Sequence, residues 1–204
     1  MPSNLDLARR LLALSQTGLH FTPQEYDRER YREIAQIAAD LLANESTHSP
    51  QQLQATWFVE DGYATPKVDV RGAIFRGETV LLVRETTDGK WTLPGGWADV
   101  NDAPSSAVLK EIEQESGYTA RIVKLAALYD RNQHDHPAHL FHVWKTFFIC
   151  EITGGAPRFS NETDGVEFYP IDQLPELSTG RSTAKQILRM YQHHLHRDWP
   201  TDFD

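Results

Sequence analysis

The stretch from Leu93 to Gly117 constrains this chain more than any other. Leu93-Pro94-Gly95-Gly96 cannot continue a helix or a strand, and paired glycines let a backbone pass close to a ligand. Pro104 suits the first turn of a helix, Asp102, Ser105 and Ser106 offer oxygens to its unpaired N–H groups, and Gly117 suits its end. On that helix, at about 100° per residue, Glu111, Gln114 and Glu115 share one face. Val108, Leu109 and Ile112 fall largely on the other side. Carboxylates at i and i+4 repel and weaken a helix unless a cation sits between them. Hard oxygen donors favour Mg²⁺ or Mn²⁺, which in turn favours a phosphate-bearing substrate. The competing reading is a solvated acidic face.

These residues resemble the Nudix box, G-x5-E-x7-R-E-U-x-E-E-x-G-U, where U is a bulky aliphatic residue. Gly96, Glu111, Ile112, Glu115 and Gly117 match it. Asp102 stands for Glu, Lys110 for Arg, Gln114 for the first Glu of the final pair and Tyr118 for the closing aliphatic, with the spacing kept over 23 residues. Further segments, among them Gly62-Tyr63-Ala64-Thr65-Pro66, Tyr129-Asp130-Arg131 and Asn161-Glu162-Thr163, resemble a bacterial Nudix subgroup with an N-terminal helical extension. That subgroup acts on nucleoside diphosphates linked to a second group, CDP-choline and ADP-ribose included.

The resemblance implies an α+β fold, a Nudix-type α/β/α sandwich with a mixed sheet. It implies a helical extension over residues 1–62 and a hydrolase domain over 63–204. With Glu111 and Glu115 as metal ligands, it adds Gln114 and the carbonyl of Gly95. The expected reaction is hydrolysis of a phosphoanhydride with Mg²⁺ or Mn²⁺. Lys110 would orient a carboxylate, without the planar fork of arginine. A general base from a loop outside the box would be Glu162, with Glu111 as its competitor. Gln114 brings no charge, which keeps open a non-catalytic nucleotide-binding or regulatory module. An RNA-acting hydrolase is a third reading.

Composition bears on these alternatives. A net charge of −9 and a pI near 5.4 disfavour nucleic acid, which is gripped by clustered cations. Five Trp, nine Phe and seven Tyr suffice for a substantial core. The single cysteine, Cys150, precludes an internal disulfide and suits a reducing compartment. With no basic-then-apolar leader and no apolar run of about 18 residues, a soluble cytoplasmic protein is expected.

Leu5, Ala8, Leu11, Leu12 and Ser15 predict a helix over 5–17 ended by Gly18. Thr22-Pro23-Gln24-Glu25 predicts a second, starting at Pro23 and running to about Ala43, with Tyr31, Ile34, Ala38 and Leu41 as its stripe. A third short helix is expected over 50–58. These helices bury too little to stand alone, so a homodimer arranged by residues 5–58 is expected. Strands are predicted at Val68–Phe75 and Thr79–Arg84 as a hairpin, then at Arg121–Tyr129, His139–Ile152 and, last, Glu167–Pro170. Gly154-Gly155 reads as a turn and Thr183–Leu195 as a helix.

Arg71, Arg84, Arg131 and Arg181 are candidates to grip phosphate or the distal group of a small nucleotide substrate. Arg71 leads, since a charge in an apolar strand needs a reason. His134, His136, His139 and His142 have no spacing of a closed tetrahedral zinc site, and substrate contact by His134 or His136 is the preferred reading. His193, His194 and His196 fit the solvated end of a helix.

Overall fold

In the computed structural model, residues 3–43 and 62–204 are described. The helix expected over 50–58 lies outside them. The chain divides into two units, Met1–Pro66 with Leu140–His142, and Lys67–His139 with Val143–Asp204.

The first unit is built on a helical hairpin, α1 (Asn4–Phe21) and α2 (Glu25–Ala43). Ser3 and Asp6 form a reciprocal cap at the start of α1. Gly18 does not end α1. A Cβ there would lie 2.2 Å from Cζ of Tyr31, so the glycine admits the α2 tyrosine against the α1 backbone. Helix α2 starts at Glu25, later than the Pro23 start, and the Gln24 amide donates to Thr22 Oγ1 at 3.2 Å. The buried seam joins Ala8 and Leu12 to Ala35, Ala38, Ala39 and Leu42. It is rotated from the expected stripe, leaving Leu41 exposed, because small alanines let the helices approach.

The second unit is a sandwich. Strand β1 (Lys67–Arg76) runs parallel to β5 (Val143–Gly155) from Lys67↔Val143 to Ile74↔Cys150. Beyond β5 lie β4 (Tyr118–Asp130), antiparallel, and the short β7 (Asp202–Phe203), parallel to β4. At its other end β1 pairs with β2 (Thr79–Glu85) at Phe75↔Val80, and β2 carries β3 (Trp91–Thr92) and β6 (Thr163–Pro170). Gly154 and Gly155 pair within β5 instead of forming a turn, residues 139–142 are not strand, and β7 follows β6.

Alternation sorts the core onto two faces. Val70, Ile74, Leu81 and Phe148 meet Val108 and Ile112 of α3 (Pro104–Ser116). Ala73, Phe75, Val80, Leu82 and Phe147 meet Ile187 and Met190 of α4 (Ala184–Leu195). The start of α3 differs from expectation: Ala103 occupies the cap position without a side-chain bond, and Ser106 Oγ turns back onto the Ala103 carbonyl at 2.8 Å. Gly117 ends α3 in the left-handed region at φ 75°, as expected. Thr183 and Gln186 cap α4 reciprocally. His193 is fully buried, with Nε2 3.1 Å from Asp202, whereas the sequence suggested solvent.

Candidate active site

The glycine loop lies along the edge of β1 that β5 does not use. Gly72 N donates to Pro94 O at 2.9 Å, Val70 N to Gly96 O at 2.8 Å, and Ala98 N to Val68 O at 2.9 Å. These bonds satisfy backbone groups that a buried strand edge would otherwise leave unpaired. Gly95 has φ 143°, and a Cβ on it would stand 2.0 Å from the Val70 carbonyl. Only a residue without a side chain passes there. Its amide donates to Glu115 Oε2 at 2.8 Å, tying the loop to α3.

Helix α3 thereby carries its acidic face onto a cavity of about 690 Å³, lined by Glu111, Gln114, Glu115 and Lys110 together with Glu85 and Glu162. Burial pushes the Glu115 carboxyl up to about 8, against the pull of Arg71 and the Gly95 N–H. Burial also raises Glu111, again opposed by Arg71, and Glu162 adds to the rise. Among the described residues, no Lys or Arg forms an ion pair with either. The Lys110 ammonium instead bridges Asp99 at 2.7 Å and Asp102 at 3.3 Å, and those bonds raise its pKa. The Glu162 backbone is fixed by Thr86 N donating to its carbonyl, 2.9 Å, and by Ser160 Oγ accepting from its amide, 3.1 Å.

The four candidate arginines divide. Arg71 is buried, and its Nε and Nη2 donate to Asp69 at 3.0 and 2.7 Å while Nη1 donates to Leu93 O at 3.1 Å. Arg131 is buried in the cavity wall, with Nη1 on Pro137 O at 2.7 Å. Arg181 lines the cavity and pairs with Glu85 at 2.9 Å and Asp88 at 3.5 Å. Arg84 does not line it; it bonds Asp164 at 2.7 Å and lies over the Trp91 ring at 5.8 Å.

Asp69, Lys145 and Glu85 went unread in the sequence. Register sets Asp69 beside Lys145, whose Nζ donates to the carboxylate at 2.6 Å. Burial lowers the Lys145 amine to about 8, with Asp69 opposing. Burial disfavours the Asp69 charge too, but Arg71 and Lys145 outweigh it and hold the carboxyl low. A signal was present, since Asp69 and Arg71 share strand parity and Lys145 interrupts an apolar run.

The histidines do not form one group. His134 Nε2 lies 3.1 Å from Asp204, and His136 links Thr179 O at 2.7 Å to the Gln186 side chain at 2.9 Å. Burial lowers His136 to about 4, so it is neutral. His139 lines the cavity.

The donor set at α3 fits a hard divalent cation, with carboxyls whose pKa is raised by burial and by neighbouring acids. Among the described residues no three His, Cys, Asp or Glu side chains form a complete ligand cluster. Glu111 and Glu115 with the neutral Gln114 beside them suit an ion that keeps waters and takes substrate phosphate oxygens, as Mg²⁺ does.

A double-glycine strip on a strand edge, facing an acidic helix inside an α/β/α sandwich, marks a class of phosphoanhydride hydrolases. The NUDIX domain family matches residues 65–191, and the chain belongs to the Nudix hydrolase superfamily. A second family, described as "UDP-X-like, N-terminal oligomerisation domain", matches residues 2–57. The chain is 40% identical over 200 residues to "Putative ADP-ribose pyrophosphatase YjhB" of Bacillus subtilis, covering 98% of this chain and 96% of that one. A crystal structure of UDP-X diphosphatase aligns at TM-score 0.66 and 32% identity, covering 97% of this chain and 96% of that one. An ADP-ribose pyrophosphatase from Streptococcus suis aligns at TM-score 0.64 and 36% identity, covering 69% of this chain and all of that one (100%). The chain is thus a Nudix enzyme acting on phosphoanhydride bonds, for a nucleoside diphosphate linked to a second group. Membership implies the family's usual Mg²⁺ dependence.

Proposed function

We propose that the chain hydrolyses the pyrophosphate bond of a CDP-choline- or ADP-ribose-type substrate, giving a nucleoside monophosphate and a phosphorylated remainder. The observation that carries this is the placement of Glu111 and Glu115, side by side in the cavity beneath the glycine loop. Relatives bearing the names ADP-ribose pyrophosphatase and UDP-X diphosphatase support the substrate type.

Mg²⁺ or Mn²⁺ would be held by Glu111 and Glu115, with Gln114 and the Gly95 carbonyl as neutral donors. When bound, it supplies charge neutralisation at phosphate oxygens and a more acidic water. Glu162 accepts the water's proton, its loop pinned by Thr86 and Ser160. Arg71 orders the glycine loop through Leu93 O, and Arg181 and Arg131 add positive potential to the cavity wall. Lys110 ties the loop acids Asp99 and Asp102 to α3. Purified protein with Mg²⁺ should release a nucleoside monophosphate from such a panel, and Glu115→Gln should abolish release. Full activity in that variant refutes the ligand assignment.

Residues 1–62 serve as a dimerising extension to the catalytic domain, 63–204. Leu7, Leu14 and Phe21 recur along α1 as exposed apolar groups, with Tyr26, Ile37 and Leu41 exposed on α2. Light scattering should give a dimer that becomes monomeric when the segment is deleted. Among the described residues no helix is long and apolar enough to cross a membrane, and the cytoplasm is the proposed location.

A further inference from the structure

We propose that Trp97, with His139 beside it, is the surface on which the substrate's nucleobase stacks, an assignment that rests on the nucleoside diphosphate reading above. Trp97 follows the double glycine directly. Its backbone is clamped to β1 on both sides, by Val70 N donating to Gly96 O at 2.8 Å and Ala98 N donating to Val68 O at 2.9 Å. The residue also forms a bridge to Asp69. Yet it is 49% exposed, and it lines the cavity that Glu111 and Glu115 line.

A large ring carried on a pinned backbone and left open suits a flat partner, because a tryptophan has only two side-chain torsions to lose when it is covered. The His139 ring stands 6.2 Å away, centroid to centroid, at an interplanar angle of 40°. Among the described residues these two are the only aromatic groups lining the cavity. Much of the remaining wall is charged: Arg71, Arg131 and Lys145 on one side of the ledger of signs, Glu85, Glu111 and Glu115 on the other. Such groups suit a pyrophosphate and its cation, and the guanidiniums among them are buried and held edge-on by Asp69, Leu93 O and Pro137 O, whereas Trp97 is open. The aromatic pair therefore takes the base while the acidic end takes the phosphates. Every base has a π-face, so this contact supplies affinity without choosing among bases.

The test is calorimetric binding to the full-length protein of AMP, GMP, CMP and UMP, with ribose 5-phosphate as the control lacking a base. At least one nucleotide should bind wild type more tightly than ribose 5-phosphate. Trp97→Ala should weaken that nucleotide by roughly 5- to 150-fold, the range for loss of one stacked base. Trp97→Phe, which keeps a ring, should retain most of the affinity. Circular dichroism checks that both variants are folded. The proposal is overturned if ribose 5-phosphate binds as tightly as every nucleotide, if no nucleotide binds at millimolar concentration, if Trp97→Ala binds like wild type, or if Ala and Phe lose equally. Base-dependent binding without hydrolysis of any diphosphate would sink the proposed reaction and leave the stacking surface standing. Hydrolysis with unchanged nucleotide binding in Trp97→Ala would do the reverse.

Discussion

Replacing Asp69 by Asn probes the buried charge cluster most sharply. The residue is 5% exposed, and its carboxylate accepts from Arg71 at 3.0 and 2.7 Å and from Lys145 at 2.6 Å. The amide keeps an acceptor but removes the only negative charge in that triad, leaving two buried cations facing each other. Removing one partner of a buried ion pair costs about 3–5 kcal/mol. At about 2–4 °C per kcal/mol for chains of 150–250 residues, the thermal midpoint should drop by roughly 6–20 °C. The loss should carry a pH signature. Burial already lowers Lys145 to about 8, and Asp69 is what opposes the fall. Without Asp69 the amine falls further. A group whose folded pKa lies below its unfolded value binds fewer protons when folded, so stability returns as pH rises through the folded pKa. The deficit should therefore shrink as pH rises toward about 8, where the wild-type amine loses its proton too. It should shrink in acid as well, since the lowered Asp69 pKa stabilises wild type above the ordinary carboxylate range and is lost as pH falls through the folded value. Adding Lys145→Met removes a stranded cation and should recover most of the loss. Urea melts at several pH values measure all of this. A single-variant loss under about 1 kcal/mol, or no recovery in the double variant, would refute the cluster's role.

Four further outcomes follow from other parts of the molecule. A carboxyl at about 8 is roughly 1% ionised at pH 6 and half ionised at pH 8, so Mg²⁺ binding through Glu115 should tighten about 50-fold across that interval and release a proton; calorimetry showing flat affinity would contradict it. In the metal-free protein the same raised pKa makes stability fall as pH rises from about 4.5 through 8, which melts with chelator present would detect. Gly95→Ala puts a Cβ 2.0 Å from the Val70 carbonyl at φ 143°, and strain of at least about 1–3 kcal/mol should lower the thermal midpoint and activity together. Gly18→Ala places a methyl 2.2 Å from the Tyr31 ring and should loosen the helical hairpin, read as lower helicity and a weaker dimer by scattering.

Helix α3 and its glycine loop were legible because their information is local. Helical spacing puts Glu111 and Glu115 on one face wherever the helix goes, and Gly117 ends it because a left-handed residue must. Where local signals misled, a tertiary contact overrode them. Gly18 looked like a helix end until the Tyr31 ring was seen to need its missing Cβ, and His193 looked solvated until Asp202 and the C-terminal strand covered it.

Arg71 was noticed as a charge that required explanation, and its nearest partner, Asp69, shares its face of β1, but what completes the cluster is not near it in sequence. Asp69 reaches Lys145 across 76 positions, and only the parallel register of β1 and β5 makes them neighbours. Arg181 meets Glu85 from a turn far along the chain, without strand pairing of its own. By itself the chain determined a helix able to offer two carboxylates and a loop able to pass close beneath a strand, since both depend on the geometry of adjacent residues. Tertiary structure decided which cations are held by protein acceptors, how far burial shifts each charge, and which aromatic ring is left open in the cavity that the carboxylates line. Those properties depend on distance and dielectric in the folded state, and pairing between strands far apart in the chain sets both.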